Sequence, residues 1–142
     1  MAPHQLLAVE VAASLKRKFG NRPHVLDNRK RHSPKLPVVI AAVTTTVATA
    51  EQASALATAM VERRLAACVQ LTPIDSIYRW RDALQRETEV RVLFKTTVRL
   101  QAALMAAIAQ RHPYEVPDIH AETLADVHQP YADWVAANVA SE

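Results

Sequence analysis

The hydrophobic patterning from residue 38 onward predicts an α+β domain with elements in the order β-α-β-β-α-β, closed by one more helix. Three observations carry that reading. Pro37 to Thr46 is a nearly continuous apolar run rich in β-branched residues, which suits a buried central strand. Two later segments place small apolar residues at helical spacing. Between them lie two strand-like segments joined by a polar turn, the pattern of a hairpin.

Each element has its own justification. Thr49 is placed to cap the first helix, with Gln52 three positions on completing a capping-box pattern. The helix then presents Ala53, Leu56, Ala57, Met60 and Val61 on one stripe, with Glu62, Arg63 and Arg64 on the wet side. Ala66 to Leu71 reads as strand. Pro73 predicts a bend or bulge before the strand resumes at Ser76–Trp80. Arg81 to Leu84 is the natural turn, and Glu89 to Thr96 returns with clean alternation. There Val90, Val92 and Phe94 face one way, and Arg91, Leu93 and Lys95 the other.

Thr97 is a candidate cap for the second helix, whose stripe is Leu100, Ala103, Leu104, Ala107 and Ile108, and His112-Pro113 stops it. Val116 to Leu124 gives a fourth strand, and Pro130 to Val139 a last helix anchored by Tyr131, Trp134 and Val135. The order is that of the ferredoxin-like split βαβ plan, an antiparallel sheet with both crossover helices on one face. A fold of this kind serves many activities and does not name one.

Charge divides the chain. Its pI is near 9.3, yet residues 1–37 hold eight Lys/Arg against two Asp/Glu, a balance of +6, while residues 38–142 hold nine against twelve, a balance of −3. The basic character belongs to the leading segment, and the domain carries no basic stripe with interleaved aromatics, so a nucleic-acid partner is not expected. No run of eighteen apolar residues exists, so no membrane-spanning helix is expected. The single cysteine, Cys68, excludes an intrachain disulfide and a multi-cysteine zinc cage, and fits a reducing cytosol.

Residues 1–37 carry four prolines and Gly20, the only glycine in the chain. They are expected to form a basic, flexible tail, with 38–142 as the domain. An Arg-rich organelle targeting peptide is the competing reading, although Glu10 and the presence of only two serines speak against it. A translation start chosen too far upstream would look the same.

Three short segments carry a resemblance. Leu65-Ala66-Ala67-Cys68, Ser76-Ile77-Tyr78-Arg79-Trp80 and Arg111-His112-Pro113-Tyr114-Glu115-Val116-Pro117 match, in order and spacing, the CutA divalent-cation tolerance family. The similarity spans roughly residues 38–139. It implies a homotrimer of ferredoxin-like subunits in which a long hairpin, here Cys68–Trp80 with Glu87–Thr96, reaches a neighbouring subunit. It also implies cytoplasmic or organellar placement, an association with copper and other divalent cations, no required cofactor and no enzymatic reaction. Two departures stand out. The family's Trp-x-Gly turn is Trp80-Arg81-Asp82 here, and Asp tolerates the left-handed conformation better than most residues. Copper binding in the family has been linked to a Cys and a His-His pair whose positions correspond to Thr45, Arg111 and His112.

His112 is thus the candidate metal ligand, against the simpler reading that it caps the end of a helix. Cys68 reads as a small buried hydrophobe rather than a catalytic thiol. Tyr78 and Trp80 alternate onto one strand face, where they are expected to pack across the hairpin or a subunit interface. Lys95, Tyr114, Glu115 and Asp118 are candidate residues of an intersubunit cleft, which would suit a small-molecule-responsive signalling or scaffold trimer similar to PII proteins. The absence of any glycine-rich phosphate loop speaks against the nucleotide version of that role. The carboxylate pairs Glu87/Glu89 and Glu115/Asp118 read as solvated charges. An enzyme using Cys68 or His112 is the third reading.

Overall fold

The structure, a computed structural model, describes residues 37–141. The expectation of a leading tail concerns residues outside this range. Four strands, β1 (Ile40–Val47), β2 (Cys68–Trp80), β3 (Ala83–Thr97) and β4 (Ile119–Thr123), alternate with helices α1 (Ala50–Glu62), α2 (Gln101–Arg111) and α3 (Gln129–Ala137). The strands form one antiparallel sheet in the order β2-β3-β1-β4, as the ferredoxin-like plan requires.

β1 lies in the middle because its apolar, β-branched sequence tolerates burial on both faces. Its odd-numbered side chains Val43 and Val47 meet Val92 and Phe94 of β3, Leu56 and Met60 of α1, and Leu104 and Ile108 of α2 in the main core. A second cluster forms where α3 crosses the other face of the sheet at one end, setting Ala132 and Val135 on Ile40. Among the described residues no helix lies over the rest of that face.

α1 starts as its sequence predicts. Thr49 Oγ1 accepts from the Gln52 N–H at 3.1 Å, and Gln52 Oε1 accepts from the Ala48 N–H at 3.1 Å. A cap of this kind is worth about 1 kcal/mol. The helix ends in a Schellman turn, with the Leu65 N–H on the Met60 carbonyl and the Arg64 N–H on that of Val61. Arg64 takes the left-handed position there, at φ 57°. Its carbonyl and guanidinium are bonded to Ala140 and Ala137, which ties the end of α1 to the segment around the end of α3.

Several expectations need correction. Pro73 makes no bulge: β2 pairs with β3 without interruption from Cys68↔Lys95 to Trp80↔Ala83. β2 is an edge strand, where a missing N–H is tolerated. β3 is accordingly longer than the sequence suggests, and the turn shrinks to Arg81-Asp82. Both residues have positive φ, at 49° and 63°, as a type I′ turn requires. β4 is shorter than expected because Tyr114 to Asp118 remains irregular. Thr97 precedes a 3₁₀ turn, Val98–Leu100, and its hydroxyl makes no cap bond to it. Val61 and Ala103, assigned to the helix stripes, are exposed at their edges.

Since β1 ends opposite Val90, the pairs from Ile74↔Glu89 to Trp80↔Ala83 have no third strand beside them among the described residues. They form a two-stranded arm that leaves the body of the domain. Ile77 is 56 % exposed on it, Leu84 72 % and Trp80 38 %. A ribbon of two strands is marginal in water without a surface to cover it.

Candidate functional site

The arm and the open sheet face together bound a cavity of about 1220 Å³. Its floor is Thr44 and Thr46 of β1 and Leu93 of β3. Tyr78 and Trp80 line it from the arm, and Tyr114, Glu115 and Asp118 from the segment that follows α2. The alternation of β2 sends Tyr78 and Trp80 to the same face, as expected. Carboxylates outnumber cations on these walls, with Glu87, Glu89 and Glu122 beside Arg91.

The segment after α2 is fixed by bonds at both ends. The Tyr114 hydroxyl donates to Glu89 Oε2 at 2.7 Å, and Glu89 is only 6 % exposed. The reading of Glu89 as a solvated charge is therefore corrected: the phenol and the body of the sheet enclose it. Burial, then the bond to Glu89, raises the Tyr114 phenol pKa far above its ordinary range. Two residues nearer the tip of the arm, Glu87 Oε2 accepts from the Tyr78 hydroxyl at 2.7 Å, and this bond is the main reason the Tyr78 pKa is raised. Arg81 at the arm's tip meets Glu115 at 3.5 Å, both well exposed, and lies over the Trp80 ring at 5.6 Å. An exposed pair like this contributes little to stability.

His112 opens the segment, directly after α2. Its Nδ1 accepts from the Tyr114 backbone N–H at 3.1 Å, and its Nε2 lies 3.0 Å from both the Thr46 carbonyl and Thr45 Oγ1. Thr45 is fully buried and donates to the Asp118 carbonyl at 2.7 Å. Burial lowers the His112 pKa, against the opposing pull of the Thr46 carbonyl and Glu89. Asp118 in turn pairs with His120 at 2.8 Å on the exposed face.

The expected cleft residues divide. Tyr114, Glu115 and Asp118 line the cavity together. Lys95, on the same sheet face, lies outside it and bonds Gln70 Oε1 at 3.3 Å. Cys68 is half-buried and contacts Tyr131, whose phenol is pushed up to about 12 by burial and then by the thiol. Glu89 and Thr46 have central places that sequence reasoning missed. The only sequence signal for Glu89 was its place on the same strand face as Leu93.

The donor set also bears on the cation that the resemblance implies. The three corresponding positions supply a buried threonine hydroxyl already bonded twice, an exposed arginine, and an imidazole with both nitrogens engaged. Among the described residues no group of three or more His, Cys, Asp or Glu is placed to hold a metal ion. As they stand, these residues do not fit a divalent cation.

Comparison with known proteins agrees with the fold. The family model described as CutA1 divalent ion tolerance protein matches residues 30–138. The divalent-cation tolerance protein CutA of Thermus thermophilus is 40 % identical over 94 residues, 66 % of this chain and 91 % of that protein. The solved structure of CutA from Synechococcus elongatus superposes with a TM-score of 0.70 at 41 % identity, covering 72 % of this chain and 91 % of that one. That of the periplasmic divalent cation tolerance protein CutA of Archaeoglobus fulgidus does so at 0.69 and 27 % identity, covering 71 % and 99 %. With the motifs, the sheet order and the long hairpin all in agreement, the chain belongs to the CutA1 divalent ion tolerance protein family.

Proposed function

We propose that this chain acts as a non-enzymatic homotrimer in tolerance of divalent cations, and that its working surface is the uncovered sheet face with its projecting arm. The observation that carries the assembly is the arm itself. Two strands with exposed Ile77, Trp80 and Leu84 extend beyond the domain, and a second copy covering them would remove both the apolar exposure and the open edge. Copper or another divalent cation enters as what the protein responds to, rather than as a group resident at His112. Cys68 faces a phenol and His112 has no free nitrogen, which gives neither the setting of a catalytic group. The cytoplasm, where a lone thiol stays reduced, is the compartment we favour. No helix among the described residues is long and apolar enough to cross a membrane.

Native mass spectrometry of the purified chain tests the assembly: three copies are expected, and a monomer at micromolar concentration would refute it. The cellular role is tested in a host lacking its own family member, grown on rising copper with and without this chain. Restored growth is expected, and equal sensitivity would refute the role. The cavity favours a second reading, a trimer that responds to a small molecule held near Tyr114 and Glu89. Thermal shifts with metabolites in the presence of chelator would reveal it.

A further inference from the structure

We infer that Thr45 and His112, at positions that the family resemblance associates with a cation, form instead a hydrogen-bonded brace that holds the segment from His112 to Asp118 against β1 and has no lone pair to give a metal. The inference does not depend on the assembly or the cellular role.

A backbone N–H can only donate, so the Tyr114 N–H at 3.1 Å requires an unprotonated Nδ1. A carbonyl can only accept, so the Thr46 oxygen at 3.0 Å requires a proton on Nε2. The two requirements are independent, and both select the neutral Nε2–H tautomer. Thr45 fits the same assignment. Its one proton goes to the Asp118 carbonyl at 2.7 Å, which leaves its oxygen to accept from Nε2 at 3.0 Å. Every polar atom in the set then has a partner, and Thr45, being fully buried, has no room for water in exchange.

A cation needs an imidazole lone pair, and the only one remaining, on Nδ1, points at an amide hydrogen. Binding there would require Tyr114 to leave, and Tyr114 is the residue whose hydroxyl holds Glu89 at the cavity wall. The brace therefore positions the cavity: Thr45 and His112 fix the two ends of the segment whose middle supplies Tyr114 and Glu115.

Two measurements on the full-length chain test this. Long-range ¹H–¹⁵N correlation at neutral pH should show one histidine ring, lost in His112→Ala, in the Nε2–H tautomer with unprotonated Nδ1. An Nδ1–H tautomer or an imidazolium would overturn the brace. Copper titration followed by native mass spectrometry should load wild type, His112→Ala and His112→Asn to the same stoichiometry. A copper step present in wild type and missing from both variants would overturn it. His112→Asn keeps an acceptor for the Tyr114 N–H, so it reports even if His112→Ala fails to fold.

Discussion

The Tyr114 hydroxyl and the Glu89 carboxylate meet at 2.7 Å, although 25 residues and a whole helix separate them in the chain. The bond closes the segment after α2 onto β3 where the arm leaves the sheet. Removing the hydroxyl with Tyr114→Phe leaves an enclosed carboxylate short of a donor, and should cost about 2 kcal/mol, the scale of a hydrogen bond to a charged group. The check is the urea midpoint at unchanged slope. Glu89→Gln, which keeps an acceptor, should lose less; no loss at all would mean that the charge is not what the phenol serves.

Trp80→Ala separates subunit stability from assembly. At 38 % exposure in the single chain, and covered in part by Arg81, the ring should contribute well below the ~3–5 kcal/mol of a fully buried tryptophan. Its loss should instead weaken the trimer, read as a rise in the concentration at which copies dissociate. A large drop in subunit stability with assembly intact would place the ring in the fold and not at an interface.

The two-residue turn offers a gain. Asp82 holds φ 63°, a conformation that costs most residues about 1 kcal/mol and glycine nothing. Asp82→Gly should raise stability by up to that amount, since the type I′ turn favours glycine there. Differential scanning calorimetry would show it, and a lower melting temperature would mean that the Asp82 side chain has a role of its own.

His112 makes stability depend on pH in a stated direction. Its folded pKa lies below the ordinary 6.5, so between those two values the unfolded chain binds more protons. Its contribution is complete above about pH 6.5, the value expected of the unfolded imidazole, and is lost as pH falls toward the folded value. The fall in melting temperature from pH 7.5 to 5.5 should be smaller in His112→Asn than in wild type. An unchanged slope would assign the pH dependence to other groups.

How much of this was legible in the sequence follows the range of the interactions. The α1 cap spans three residues and the alternation of Val90, Val92 and Phe94 five, and both were readable. Pro73 misled because its tolerance depends on β2 lying at the sheet's edge, which no local pattern reports. The state of His112 was beyond reach for the same reason: Thr46, whose carbonyl sets its proton, lies 66 residues earlier. Glu89 looked solvated because no partner for its carboxylate could be read from the sequence. Its partner Tyr114 comes from an irregular segment, where periodicity has nothing to say.

The central position of β1 carries a cost in time. It is the first element made in the described chain, yet its neighbours are residues 90–97 on one side and 119–123 on the other. Until residues 90–97 leave the ribosome, an eight-residue run dominated by Ala, Val and Thr has both edges unpaired, and one edge stays open until β4 follows. Such a segment is the kind that joins its like in a neighbouring nascent chain. Synthesis of this protein is therefore expected to be most vulnerable to aggregation before β4 is made, so chains truncated ahead of Ile119 should accumulate as insoluble material while the full chain does not.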